Sequence, residues 1–308
     1  MAEIVFLVNP ASENGKTGKV WPRIANQAAA AGLAGETFVS ERPGQLGELV
    51  ERAAAEGARL VVAVGGDGTV NEVVNGLMAR HRRGETVPEL AVLPRGTGTD
   101  FVRTFGIPTG LERAIGVARD GKTREIDAGL VVYRAWDGSE RIGYFANVAS
   151  AGMSGAVAQR ANTTSKALGG KASFLIATLA VFARWKPSEV EVAVDGERRA
   201  GLMYDVLVAN CRYLGGGMKM TPDALPDDGL FDVLIIGNIT RVDLALTLPK
   251  VYRGTHLPHP KTELLRGTVV TVDATTPLPV ELDGEQPGTT PVRFETIPRA
   301  LRLRVPAG

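Results

Sequence analysis

The chain has 308 residues, 44% of them apolar, with 35 Lys and Arg against 34 Asp and Glu. The formal net charge of +1 gives no overall basic field to recruit nucleic acid, and the single cysteine, Cys211, excludes an intramolecular disulfide framework. The length is enough for two domains of ordinary size.

The opening MAEIVFLVNP runs directly into an apolar strand over Ile4 to Val8 and reads as carrying no signal peptide, so a cytoplasmic location is the expectation. Helix-like and strand-like segments then alternate: Val20 to Ala31, Glu36 to Ser40, Leu46 to Ala55, Leu60 to Val64, Val70 to Arg80 and Leu90 to Leu93. This alternation predicts a doubly wound α/β domain with a parallel sheet covered on both faces. Ligands of such sheets lie beyond the carboxyl ends of the strands, where three polar loops fall: Asn9 to Lys19, Gly65 to Thr69 and Pro94 to Asp100.

The loop within VVAVGGDGTVNE is the most telling. Gly65, Gly66 and Gly68 allow backbone conformations closed to other residues, so main-chain N–H groups can approach an anion, and the following helix presents its positive end. A tight strand-to-helix turn is the alternative, but Asp67 inside the loop suits a site that also manages a cation. The first loop, NPASENGKTGK, offers Lys16 and Lys19 but lacks P-loop spacing, and by itself reads as solvated surface. In the third, LPRGTGTDFVRTFGIP, Asp100 and Arg103 fall a turn apart on an incipient helix.

Beyond residue 128 short strands dominate, including Glu189 to Val194, Tyr204 to Ala209, Phe231 to Ile236 and Val269 to Asp273. A mainly-β second domain is expected over 129–308, after an α/β domain over 1–128. Helical spacing interrupts it at Ala151 to Ala161, Ala172 to Trp185 and Arg241 to Tyr252. The second of these is apolar nearly all round, implying burial or the wall of a hydrophobic cavity, and is too short to span a bilayer. TPDALPDDGLFDV clusters Asp223, Asp227 and Asp228 before a strand, which suits a hard cation or, equally, a Pro/Asp/Gly turn. PVELDGEQPG puts Asp283, Gly284 and Glu285 at a β-turn, for which DG is the common local explanation, while a carboxylate on such a turn facing a cleft could instead act as a general base. His81, His256 and His259 lack metal-ligand spacing and read as surface residues; Cys211 reads as a buried, inert thiol.

Taken in order, GGDGTVNE, LPRGTGTDFVRTFGIP, PDALPDDGLFDV and LDGE resemble the catalytic-domain family of diacylglycerol kinases, in its soluble bacterial branch, along nearly the whole chain. The resemblance implies an N-terminal α/β domain, a β-sandwich C-terminal domain and ATP between them. It implies nucleotide contacts from Asn9, Ser40, Gly65, Gly66, Asp67, Gly68, Thr69, Asn71 and Thr97, with Lys16 and Arg103 as phosphate-side cations. Asp67, helped by Asp127, would organise the Mg2+ of Mg-ATP. Leu225, Asp228 and Leu230 match a structural magnesium site, and Glu285 matches the general base. Thr99 stands where many members have asparagine.

The implied activity is ATP-dependent phosphorylation of a lipid primary hydroxyl, as in diacylglycerol, at a membrane surface reached by peripheral, transient attachment. A dinucleotide acceptor, as in NAD kinases that also use GGDGT, and a non-catalytic nucleotide- or lipid-binding regulator are the competing readings. Members of the family often dimerise, which leaves a homodimer open.

Overall fold

The computed structural model describes residues 3–96, 98–163 and 170–307. Thr97, expected to touch nucleotide, lies outside them. The chain forms two compact units, Met1–Ile126 with Arg299–Gly308, and Asp127–Pro298. The last ten residues therefore belong with the first unit, whereas the sequence reading assigned them to 129–308.

In the first unit the order is β1 (Ile4–Val8), α1 (Lys16–Ala30), β2 (Glu36–Val39), α2 (Leu46–Ala55), β3 (Leu60–Gly65), α3 (Asp67–Arg82), β4 (Glu89–Pro94), α4 (Asp100–Thr104) and α5 (Leu111–Asp120). β5 (Lys122–Ala135) then leads into the second unit. The sheet is parallel in the order β2-β1-β3-β4. Its strands are apolar on both faces because both are covered. Phe6, Val8, Val62, Val64, Ala91 and Leu93 pack against Trp21, Ile24 and Ala28 of α1 and Ala114, Ile115 and Ala118 of α5. α2 and α3 pack against each other and against β1 and β3.

The second unit continues with β6 (Glu140–Phe145), β7 (Val148–Gly152), α6 (Met153–Thr163), α7 (Gly170–Phe182), β8 (Ser188–Val194), β9 (Glu197–Ala209), β10 (Tyr213–Leu214) and β11 (Met218–Lys219). It is completed by β12 (Phe231–Gly237), α8 (Arg241–Arg253), β13 (Thr262–Gly267), β14 (Val269–Ala274), β15 (Pro279–Leu282) and β16 (Glu285–Val305). Pairing here is antiparallel. β9 is long enough to pair first with β8 and then, from Met203 on, with β7 and β12. β16 likewise pairs with β15 and then with β14, before Leu303 joins Leu90 in the first unit's parallel sheet. The inward faces of these strands meet in one core, where Phe145 stacks on Phe231 at 5.4 Å and meets Phe294 edge-on at 6.2 Å. Each such ring contributes about 1.5–3 kcal/mol by leaving water.

Two sequence expectations change. The apolar helix α7 is not buried all round, since Ile176 and Leu179 are 49% and 47% exposed, but Ala177, Thr178 and Phe182 face inward and Thr178 forms part of the wall of an apolar pocket, the other expected role. His256 is buried, whereas His81 is exposed and His259 half-buried. Cys211 is a buried free thiol whose Sγ lies 3.3 Å from the Ala146 carbonyl.

Candidate active site

The carboxyl edge of the parallel sheet gathers Asn9 after β1, Ser40 after β2, Gly65 to Thr69 at the end of β3, and the Arg95 to Asp100 segment after β4. Asn9 donates from Nδ2 to Thr69 Oγ1 at 3.1 Å, and the Ser40 N–H bonds the Val8 carbonyl at 3.0 Å. An ion pair between Arg95 and Glu13 ties the third loop to the first. Lys16 and Lys19, read as loop residues, are instead exposed in the first turns of α1, which Gly15 enters at φ 78°.

The glycine motif works differently from the sequence expectation. Gly65, Gly66 and Gly68 are absent from the positive-φ residues, and at Gly65 the reason for glycine is space. A Cβ on Gly65 would lie 2.1 Å from Thr69 Oγ1, and one on Gly96 would lie 2.8 Å from Gly66 Cα. The two loops therefore touch backbone to backbone, a separation only glycine permits. α3 begins at Asp67, inside the motif, with Gly66 as an N-cap that supplies no side-chain acceptor. Its first N–H groups are left for an outside acceptor.

Asp67 turns its carboxylate toward the next helix. Oδ2 accepts from the Asp100 N–H and Oδ1 from the Phe101 N–H, both at 3.2 Å, so the acid clasps the start of α4. Gly98 makes room for this, since a Cβ there would fall 2.3 Å from Asp67 Oδ2. Burial pushes the Asp67 carboxyl up, opposed by those backbone bonds and by the charge of exposed Arg103. Asn71 is buried one turn along α3. Glu72 accepts the Leu46 N–H at 3.2 Å and so holds the start of α2.

In the second unit a chain of polar contacts surrounds the LDGE turn. Asp283 is buried at φ 50°, and its carboxylate accepts three main-chain N–H groups: Ala146 at 3.0 Å, Asn147 at 3.0 Å and Val148 at 3.1 Å. Such a concentration of donors holds a carboxylate in place more firmly than a neutral pair would. Asn210 donates from Nδ2 to both the Ala146 and Asp127 carbonyls at 2.9 Å, and its own N–H bonds the Asn147 carbonyl. Asp127 is fully buried; its N–H bonds the Pro226 carbonyl and its Oδ2 accepts from Gly229 N–H, both at 2.7 Å. Asp127 thus fastens the PDDG loop. Glu285 follows this braced turn with its side chain exposed.

Two further carboxylates lie beneath the turn. Glu281 accepts from Ser150 Oγ at 3.0 Å and from the Gly284 N–H; burial pushes its pKa up to about 8, with the Asp283 and Asp205 charges adding to the rise. Asp205 accepts from the Ser154 N–H at 2.9 Å and from its hydroxyl, and burial raises it to about 7.

At the third acidic site, Asp228 pairs with Arg266 and accepts the Leu230 N–H at 3.0 Å, while Leu225 is exposed. Asp232 is buried with Oδ2 unpartnered; burial raises it to about 6, and Asp228 and Asp223 add to the rise against Arg266. Among the described residues no group of three His, Cys, Asp or Glu converges as a metal cluster.

Residues 3–131 match the diacylglycerol kinase catalytic domain, and residues 147–305 match the YegS C-terminal NAD kinase beta sandwich-like domain. The chain belongs to the diacylglycerol kinase family. As a member of this family it is a kinase, and the kinase class uses ATP.

A diacylglycerol kinase of Staphylococcus carnosus (strain TM300) is 26% identical over 305 residues, covering 99% of this chain and 95% of that protein. One of Staphylococcus epidermidis is 28% identical over 305 residues, covering 99% and 92%. A solved protein of Bacillus anthracis str. Sterne has the same fold, with a TM-score of 0.79, 23% identity and coverage of 99% and 95%. A diacylglycerol kinase of that organism gives 0.71 at 20% identity, with coverage of 99% and 97%.

Asn147, Asn210, Glu281 and Asp205 belong to no motif legible in the sequence. The signal for Asn147 and Asn210 was faint: single amides at strand ends, each linked to partners more than sixty residues away. Glu281 was hidden by alternation: Val280 and Leu282 face the core, so the charge between them reads as an ordinary outward residue, yet it is buried as well.

Proposed function

We propose that this kinase transfers the γ-phosphate of ATP to a primary hydroxyl of diacylglycerol or a related lipid. The observation that carries the reading is the start of α3. There the N–H groups of Asp67, Gly68 and Thr69 have no protein acceptor among the described residues, at the carboxyl edge of a parallel sheet where two loops touch through glycine. That is a seat for a polyphosphate. Lys16, beginning α1 nearby in sequence order, and Arg103, close enough to bias Asp67, would add positive charge.

The residues fit a magnesium ion held mainly by the nucleotide. Asp67 gives one bond from each oxygen to the backbone, and a carboxylate has about four acceptor positions, so it can still receive the water of a hydrated cation. When bound, the ion would neutralise charge on the phosphates. Asp127 holds the PDDG loop through Gly229 and Pro226, beside the part expected of it in organising the magnesium of Mg-ATP. Leu225, Asp228 and Leu230 also fit a structural magnesium. Hard oxygen donors lie beside the orphaned Asp232 oxygen, and Arg266 supplies the positive charge there in the protein alone.

Glu285 is the general base in this reading, exposed on a turn that Asp283 clamps. It would take the hydroxyl proton as the lipid oxygen attacks phosphorus. Access to a bilayer is supported by apolar side chains turned outward: Ile176 and Leu179 on α7, and Val242 and Leu246 on α8, the latter two 65% and 66% exposed. Arg241 donates to the Ala183 carbonyl at 2.9 Å, joining the start of α8 to the end of α7. No described helix is long and apolar enough to cross a membrane, so these helices would lie on it.

The deciding experiment follows γ-labelled ATP into the organic phase with a panel of purified lipids. Label in a lipid supports the reading. Label on a dinucleotide would favour the second reading, which the NAD kinase-like description of the matched sandwich domain keeps in play. ATP binding without transfer to either would favour a regulator.

A further inference from the structure

The turn that carries Glu285 is held from two directions. β15 and β16 are joined by Asp283 and Gly284 alone, with Leu282 paired to Glu285 across them. Both joining residues have positive φ, 50° at Asp283 and 94° at Gly284, the form of a two-residue hairpin turn. In such a turn the N–H of the second joining residue points out of the ladder and needs an acceptor from elsewhere. Glu281 supplies one, since its Oε1 accepts the Gly284 N–H. Its other oxygen, Oε2, meets Ser150 Oγ at 3.0 Å, on the residue directly opposite in β7.

Glu281 is 1% exposed. Val280 and Leu282 on either side point into the sandwich core, and α6 packs against both β15 and β7. Burial, with the Asp283 and Asp205 charges adding to it, pushes the carboxyl up to about 8, so at pH 7 it is a neutral acid. A neutral acid can keep its proton on Oε2, toward Ser150, and leave Oε1 as the acceptor for Gly284. An apolar side chain fills a buried strand position without that desolvation, so what the acid adds here is its hold on the turn. The held N–H belongs to the residue immediately before Glu285. Fixing the peptide between Asp283 and Gly284 fixes where Glu285 begins, whereas the grip of Asp283 on residues 146–148 fixes where the turn sits.

We propose that Glu281 is a positioning residue for phosphoryl transfer: through the Gly284 N–H it sets the direction in which the turn presents Glu285. The inference deepens the reading above and rests on Glu285 being the base. A reacting group displaced by about 1 Å loses on the order of 10²-fold in rate, so this hold acts on kcat and not on nucleotide affinity.

The test measures label transfer by the full chain from γ-labelled ATP to the panel lipid it phosphorylates fastest, with dioleoylglycerol in detergent micelles tried first. Glu281→Leu, which removes the acceptor, should lower kcat about 10–10²-fold and leave the KM for ATP within about twofold. Glu281→Gln keeps an oxygen for Gly284 and an N–H for Ser150, and should hold kcat within about threefold of the unmodified protein. Melting temperatures report that each variant is folded. An unchanged kcat in folded Glu281→Leu overturns the proposal, as does a matching rise in the KM for ATP or an equal loss in Glu281→Gln. Glu281→Met replaces the Leu variant if that one does not fold. Failure of both beside a folded Glu281→Gln assigns the residue to stability and also overturns the proposal. If the unmodified protein labels no lipid at all, the lipid kinase reading itself fails; if it labels lipid and Glu281→Leu does so equally fast, only this inference falls.

Discussion

The two units solve opposite electrostatic problems with the same materials. Around α3 the backbone keeps N–H groups uncommitted, and glycines at 65, 66 and 96 strip away side chains so that two loops can meet around them. Around the LDGE turn the backbone N–H groups of residues 146–148 are fully committed, to a buried carboxylate. The first arrangement leaves donors for an outside acceptor; the second supplies its own acceptor and becomes rigid. In the function proposed above, spare donors would receive phosphate and the braced turn would carry the base. Asp67 stands between the two styles. It lies in the glycine motif, but gives its oxygens to the start of α4 as Asp283 gives its own to Ala146, Asn147 and Val148.

The sharpest break in this contrast comes from Glu285→Gln. Turnover should fall by about 10²–10⁴ while ATP affinity is retained, because the loss lies in proton transfer and not in the anion cradle. Steady-state kinetics beside direct nucleotide binding would check it, and a near-normal rate would remove Glu285 as base.

Next in size is Asp283→Ala, which strands three main-chain donors. Unfolding in urea should show a loss of about 3 kcal/mol or more, and a loss under about 1 kcal/mol would mean that water replaces the clasp.

Gly98→Ala probes the first unit in the same manner. Its Cβ must displace the Asp67 carboxylate from 2.3 Å, at a cost of about 1–3 kcal/mol, and ATP binding should weaken with it. Unchanged nucleotide affinity would show that the Asp67 clasp and the phosphate seat are independent.

The buried acids give a pH signature. Glu281 has a folded pKa of about 8, above its unfolded value, so the folded state holds a proton that the unfolded state has released. Stability should therefore fall as pH climbs from about 5 to 8, by up to about 1.4 kcal/mol per pH unit from this group. Glu281→Gln should flatten that slope in melts recorded across the range. Parallel curves for the two proteins would contradict the assignment.

The smallest effect is expected at Asp228. Its pair with Arg266 is partly exposed and contributes about 0–1 kcal/mol, so Asp228→Ala should lower the melting temperature slightly in chelator. If the loop holds magnesium, the gap should widen when the ion is added; an equal gap with and without magnesium removes the structural ion.

Much of this was legible in one dimension. The alternation in the first 94 residues announced the parallel sheet, and the three polar loops fell at its carboxyl edge because strand direction and loop position are local facts. The helical interruptions of the second unit also appeared where their spacing put them, at α6, α7 and α8. The function of the glycines in GGDGT was less visible. Conformational freedom seemed the reason, but the cause is contact with Thr69 and with Gly96, thirty residues further on. Local sequence cannot report a steric limit set by another loop. His256 illustrates the same point from the opposite side. Nothing around it in GTHLPHP distinguishes a surface histidine from one sealed into a cavity wall.

Periodicity and turn chemistry act within a few residues, so the two-unit class, the order of the elements and the motifs of the kinase family were all readable along the chain. Long-range packing sets how the acids are used: Asp67 clasping α4, Asp127 fastening the PDDG loop, Asp283 gripping residues 146–148, Asp205 holding the start of α6 through Ser154. It also decided that the last ten residues return to the first unit. The reason is physical. Burial and hydrogen-bond partnership depend on neighbours that are up to 137 positions apart in the chain, and a carboxylate's role follows from those neighbours, not from its own identity.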